Sequence, residues 1–81
     1  MNPSELTDQQ YLTIWTCCFD ADQREGIELA AALNCLREWL GSSDRGNIGD
    51  LEGVALKLWE HDEVALASQF EEWALERREL N

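Results

Sequence analysis

The chain has 81 residues, with seventeen carboxylates against six basic side chains, Arg24, Arg37, Arg45, Lys57, Arg77 and Arg78, for a formal charge of −11. A body this anionic repels nucleic acid and acidic membrane and attracts basic surfaces from beyond contact range, which excludes direct nucleic-acid or membrane binding as an expectation. A hydrophobic content of 44% is too high for an acidic disordered tail, so residues 1–81 read as a single acidic helical domain. With no basic and then apolar leader at Met1 to Glu5, and no run near the roughly 18 apolar residues of a membrane span, the chain is expected to be soluble and cytoplasmic.

The predicted fold class is all-α, a small bundle of about four short helices. Thr7 followed by Gln10 fits a capping box, and Leu6 with Tyr11 occupies the flanking positions of a hydrophobic staple, so a first helix should begin near Asp8. Tyr11, Ile14, Trp15 and Cys18 recur at i, i+3, i+4 and i+7 and lay one apolar stripe along it. The stretch 11–19 is also rich in aromatic and β-branched residues, as a strand would be, and the cap tips the balance to helix. Asp22 and Glu25 form a second capping-box pair ahead of a helix carrying Leu29, Leu33, Leu36 and Leu40. Gly41 stands where a glycine would follow its end, and Gly41 to Gly46 reads as the main loop.

A third helix opens at Asn47 with Asp50 in its first turn and buries Leu51, Val54, Ala55 and Leu58. Gly49 and Gly53 weaken it, each costing up to about 1 kcal/mol relative to alanine, so it should be short, frayed or packed tightly against a neighbour's backbone. Asp62 can cap the last helix, which runs through Leu66, Phe70, Trp73 and Ala74 and ends near Leu80. Arg77 and Arg78 there complement the helix dipole.

Cys17, Cys18 and Cys35 have neither disulfide nor metal spacing and read as reduced core thiols. Phe19 to Leu29 looks like the opening of a calcium-binding EF-hand loop, with Asp20, Asp22 and Ile27 in register. Arg24, Glu25 and Ala31, however, stand where an oxygen ligand, the turn glycine and the bidentate glutamate belong, so no metal site is expected. His61 beside Glu60, Asp62 and Glu63 spans a helix boundary, where successive side chains diverge and do not converge on a substrate. No phosphate loop or nucleophile elbow is present, and neither catalysis nor a cofactor is expected.

The carboxylates are grouped. Asp20, Asp22, Glu25 and Glu28 cluster at the first turn, Asp44, Asp50 and Glu52 at the second, and Glu60, Asp62 and Glu63 at the third. Glu72, Glu76 and Glu79 follow the i, i+4, i+7 pattern of one helix face with no cation four residues on from Glu72 or Glu76. In size, charge and helical content the chain resembles, as a class, the small acidic inhibitors made by phages and mobile elements, including DNA mimics that occupy the nucleic-acid channel of a host gyrase, polymerase, restriction enzyme or CRISPR complex. The resemblance implies a noncatalytic, reversible competitor, often a homodimer, acting in the host cytoplasm on a basic nucleic-acid-binding protein. Asp62, Glu63, Glu71, Glu72, Glu76 and Glu79 are the residues expected to meet that protein's Lys and Arg side chains.

The alternative is a helical adaptor or regulatory protein that contacts its partner through tryptophans. Trp39 and Trp59 fall partly off the leucine stripes and are the candidate apolar anchors, the acids then serving solubility. Trp15 and Trp73 read as core.

Overall fold

The computed structural model describes residues 5–41 and 48–79, and within them the chain is all-α. Five helices follow in order: α1 (Asp8–Cys18), α2 (Ala21–Arg24), α3 (Leu29–Gly41), α4 (Ile48–Glu60) and α5 (Val64–Glu79). Four are of the expected kind, and α2 is a single turn. The α1 start is the one the sequence predicts. Gln10 N–H donates to Thr7 Oγ1 at 3.2 Å and Thr7 N–H donates to Gln10 Oε1 at 2.9 Å, while Leu6 and Tyr11 are both buried in the core behind the cap.

α1 packs on α3 and α4, and α4 and α5 form an antiparallel hairpin. The buried residues make one cluster, with Tyr11, Ile14, Leu40, Leu51, Leu58 and Phe70 fully enclosed at its centre. Trp15 and Trp73 are core residues as expected, and Cys18 packs against the cluster without being sealed in it. Full burial of a large apolar side chain contributes roughly 1.5–3 kcal/mol, so these six supply much of what holds so short a chain together.

Several local expectations need correction. The second cap lies two residues earlier than Asp22: Asp20 precedes the short α2, and its backbone N–H donates to Gln23 Oε1 at 2.8 Å. Asp22 and Glu25 therefore form no capping box. α2 closes on Glu25 and Gly26, the latter at φ 78°, a left-handed value that glycine adopts without a Cβ clash. A new helix then begins at Leu29, which moves Leu29 out to 45% exposure and leaves Ala32, Leu36 and Leu40 as the buried stripe. Gly41 ends α3 from within, and the proposed loop and the Asn47 cap, residues 42–47, lie outside the described residues.

α4 is a full 13 residues, and a Cβ built on Gly49 or Gly53 meets nothing within 4 Å. These glycines neither shorten the helix nor permit a close backbone approach; they lie on its open side, away from the predicted and observed buried set Leu51, Val54, Ala55 and Leu58. Asp62 does not cap α5. It stands at φ 60° in the turn between α4 and α5, with its N–H donating to the Trp59 carbonyl at 3.1 Å and the Glu63 N–H donating to the Leu58 carbonyl at 2.9 Å. These are the paired bonds of a Schellman motif, with Asp62 in the place usually held by glycine. Glu63 then directly precedes α5, its carbonyl accepting from Ala67 N–H at 2.9 Å.

Candidate functional site

α5 divides its surface cleanly. Ala67, Phe70, Trp73, Ala74 and Arg77 turn into the core, and Glu72, Glu76 and Glu79 stand exposed on the opposite side. The three span about 10 Å of helix axis at ~1.5 Å per residue. The structure thus joins three of the six predicted acids in one ridge. Asp62 and Glu63 are exposed at the start of the same helix. Glu71 is set apart from the ridge: its Oε1 accepts the Trp59 indole N–H at 2.7 Å, across the α4–α5 seam.

Three of the described cations are paired with carboxylates off this ridge. Arg37 donates to Asp8 Oδ1 at 2.8 Å and to Asn34 Oδ1 at 3.2 Å while its guanidinium lies over the Tyr11 ring, 4.9 Å from the centroid. Lys57 pairs with Glu60 at 3.6 Å, Arg78 pairs with Glu52, Arg77 is buried and Arg24 is half-buried. Exposed pairs of this kind contribute at most about 1 kcal/mol each. Their larger consequence is placement, because they draw positive charge away from the Glu72, Glu76 and Glu79 ridge. Arg77 lies in the last turn of α5, as expected, and is also part of its packed face.

The two anchor candidates are displayed and fixed. Trp39 is 38% exposed and Trp59 39%. Each indole N–H donates to a carboxylate, Trp39 to Asp50 Oδ2 at 3.0 Å and Trp59 to Glu71 Oε1 at 2.7 Å. The Trp59–Glu71 and Glu52–Arg78 links set an antiparallel register that puts Leu56 opposite Leu75, between them, and both leucines are more than half exposed. Trp59 therefore belongs to an apolar strip along the hairpin, which the sequence did not reveal because it depends on the register between α4 and α5.

A second feature the sequence did not reveal is a groove of about 340 Å³ lined by Trp15, Phe19, Ile27, Ala31, Ala32, Cys35, Leu36 and Trp39. Its origin is the late start of α3. The helix buries Ala32, Leu36 and Leu40, while a neighbouring stripe at i, i+4, i+8, Ala31, Cys35 and Trp39, is exposed beside the tilted Trp15 and Phe19 rings, whose centroids are 4.6 Å apart. The turn after Gly26 carries Ile27 to its edge, 49% exposed. The signal was present in the sequence as a second periodic stripe beside the leucines, and its small residues concealed it.

Gln9, Leu12, Thr13, Thr16, Cys17, His61 and Glu63 line a more polar depression, bringing the Cys17 thiol of α1 to the same concavity as His61 and Glu63 of the α4–α5 turn. Burial and, secondarily, the Glu63 charge push the Cys17 thiol up, the reverse of the shift that activates a nucleophile. Burial and the neighbouring Cys17 raise Cys18 further, to about 11, against a smaller opposing pull from Lys57. Among the described residues no group of three or more His, Cys, Asp or Glu is placed to hold a metal ion, and residues 20–31 form a helical turn and a second helix start in place of a cation loop. No described helix is long and apolar enough to cross a membrane. In comparisons with known protein families, curated proteins and solved structures, nothing matched this chain.

Proposed function

We propose that this chain is a noncatalytic inhibitor that mimics DNA and occupies the nucleic-acid-binding surface of a basic host protein. The observation that carries the reading is the α5 ridge: Glu72, Glu76 and Glu79 exposed at i, i+4, i+7 on a helix held through the α4–α5 hairpin, with Arg37, Lys57 and Arg78 paired to other carboxylates. Asp62 and Glu63, in the turn before α5, add exposed negative charge apart from that ridge, Glu63 at the depression beside α1. The ridge of about 10 Å matches roughly three phosphates of one DNA strand at ~3.4 Å each, so a longer mimic would draw on the acids of neighbouring elements as well. Like charges placed one turn apart cost about 0.2–0.5 kcal/mol per pair, a penalty that solubility alone does not require to be concentrated on one ridge. The test is capture of a partner from host lysate on the immobilised protein. The partner should elute with duplex DNA and with rising salt, and the Glu72→Gln, Glu76→Gln, Glu79→Gln triple variant should fail to capture it. Undiminished capture by the triple variant, or a partner that DNA does not displace, refutes the reading.

A second reading, a helical adaptor gripping its partner through tryptophans, is favoured by the way Asp50 and Glu71 hold Trp39 and Trp59 at the surface. An aromatic fixed before binding loses little entropy on contact, which suits an anchor. This reading predicts capture that is insensitive to salt and is abolished by Trp39→Ala or Trp59→Ala.

A further inference from the structure

We infer that the groove between the end of α1 and α3 receives a basic amphipathic helix from a partner protein. The inference deepens the adaptor reading and is independent of the α5 ridge. The lining is apolar apart from the Cys35 thiol and the indole N–H groups of Trp15 and Trp39, the latter already satisfied by Asp50. A small polar ligand would find no convergent donors or acceptors there, whereas aliphatic side chains would. The uncovered stripe from Ala31 to Trp39 runs about 12 Å, slightly more than two helical turns, which matches anchors spaced i, i+4, i+7 on an incoming helix.

The charge around the groove selects the rest of that helix. Asp20, Glu28 and Glu38, all exposed, adjoin in sequence the lining residues Phe19, Ile27 and Trp39, and Asp50 is hydrogen-bonded to Trp39 itself. Of the cations on these elements, Arg37 is turned to Asp8 and Tyr11 at the start of α1, away from the groove at its end, and Arg24, half-buried on α2 between Phe19 and Ile27 in sequence, is outnumbered by these acids. An occupant with leucine-type anchors on one face and Lys or Arg on its flanks would have both its apolar and its charged surface matched. A second copy of this chain does not fit that description: its described cations are dispersed over α2, α3, α4 and α5, and two acidic rims would be brought together.

The probe is a 14-residue synthetic peptide without tryptophan, with leucines at i, i+4, i+7 and i+11 and lysines elsewhere, titrated against the full chain and followed by tryptophan fluorescence. A scrambled peptide of the same composition and a version with glutamate in place of lysine serve as comparisons. The ordered basic peptide should bind at least about tenfold more tightly than either, and Ala31→Gln, a helix-compatible change at an exposed lining position, should weaken it about tenfold. Glu28→Gln with Glu38→Gln should weaken it and flatten its salt dependence, and the α5 triple glutamine variant should leave it unchanged. Equal binding of ordered and scrambled peptides, or full affinity in a folded Ala31→Gln protein, overturns the inference. A sedimentation measurement showing that Ala31→Gln dissolves a dimer would overturn it too, in favour of a second copy. If Ala31→Gln is silent while Trp59→Ala abolishes capture of the cellular partner, the groove fails and the adaptor reading stands; if neither matters, both fail.

Discussion

Replacing Asp62 with glycine should make the protein more stable, although the change removes a side chain and adds none. Asp62 holds φ at 60° so that the turn after α4 can make its two closing bonds, Asp62 N–H to the Trp59 carbonyl and Glu63 N–H to the Leu58 carbonyl. The left-handed conformation costs an ordinary L-residue about 1–2 kcal/mol, and aspartate somewhat less because its short polar side chain tolerates it. Glycine avoids that cost but loses roughly 0.5–1 kcal/mol of extra chain entropy on folding. The carboxylate's effect on the two helix dipoles has opposite signs at the end of α4 and the start of α5, and so largely cancels. The net gain is at most about 1 kcal/mol, equivalent to a rise of up to roughly 8 °C in Tm for a chain of this size. Thermal melts of Asp62→Gly, Asp62→Asn and Asp62→Ala, followed by circular dichroism, check it: glycine above the parent, asparagine near it, alanine below it. A glycine variant that melts at or below the parent temperature, or an alanine variant that gains stability, would refute the account of this turn. Since Asp62 is also one of the proposed partner-facing acids, the same glycine variant should bind a basic partner more weakly while melting higher.

Gly53→Ala should raise stability by about 0.5–1 kcal/mol in chemical denaturation, because the position is helical and exposed with open space around the added methyl. A loss would mean that this side of α4 is covered. Alkylation of the native protein under brief iodoacetamide treatment should mark Cys35 before Cys17 or Cys18, as peptide mass mapping would read, since Cys35 is exposed and burial pushes the other two thiols up. The Cys18 thiol at about 11 keeps its proton in the folded state where an unfolded thiol, near ~8.5, has lost it. Its contribution is therefore complete below pH ~8.5 and is lost as pH rises towards 11, so Tm should fall across that window, and Cys18→Ala should flatten the fall.

The parts of the fold that could be read from the sequence are those in which one local rule acts without competition. The Thr7–Gln10 box and its Leu6–Tyr11 staple fix the start of α1 within a few residues, and the Leu51, Val54, Ala55 and Leu58 set fixes the buried face of α4. Errors arose where two short-range signals compete. Asp20 and Asp22 can each precede a helix, and only the Gln23 side chain, reaching back to the Asp20 N–H, decides between them. That choice inserts α2, delays α3 and turns Leu29 outward, and the groove follows from it. Of the candidate surfaces, the i, i+4, i+7 spacing of Glu72, Glu76 and Glu79 was legible because it lies within one helix. The engagement of Glu71 by Trp59 was not, because it depends on the register between α4 and α5, which no periodicity within either helix encodes.

The acids and the apolar surfaces can act at different stages of one binding event. A net charge of −11 acts over a Debye length of about 8 Å at physiological salt, far enough to collect basic partners but too coarse to hold one in register. Contact within the groove or along the Trp59 strip acts only at van der Waals distance, and there the fixed indoles can set position. Charge changes on the ridge would then alter chiefly the association rate and its salt dependence, while changes at Ala31, Trp39 or Trp59 would alter chiefly the dissociation rate. A DNA mimic working through the ridge alone has no reason to divide its kinetics in this way, since displaying carboxylates requires no apolar contact. Association and dissociation rates of the charge and groove variants, measured against one captured partner at two salt concentrations, therefore separate a molecule that only imitates a polyanion from one that uses its charge to deliver a helix to a waiting groove.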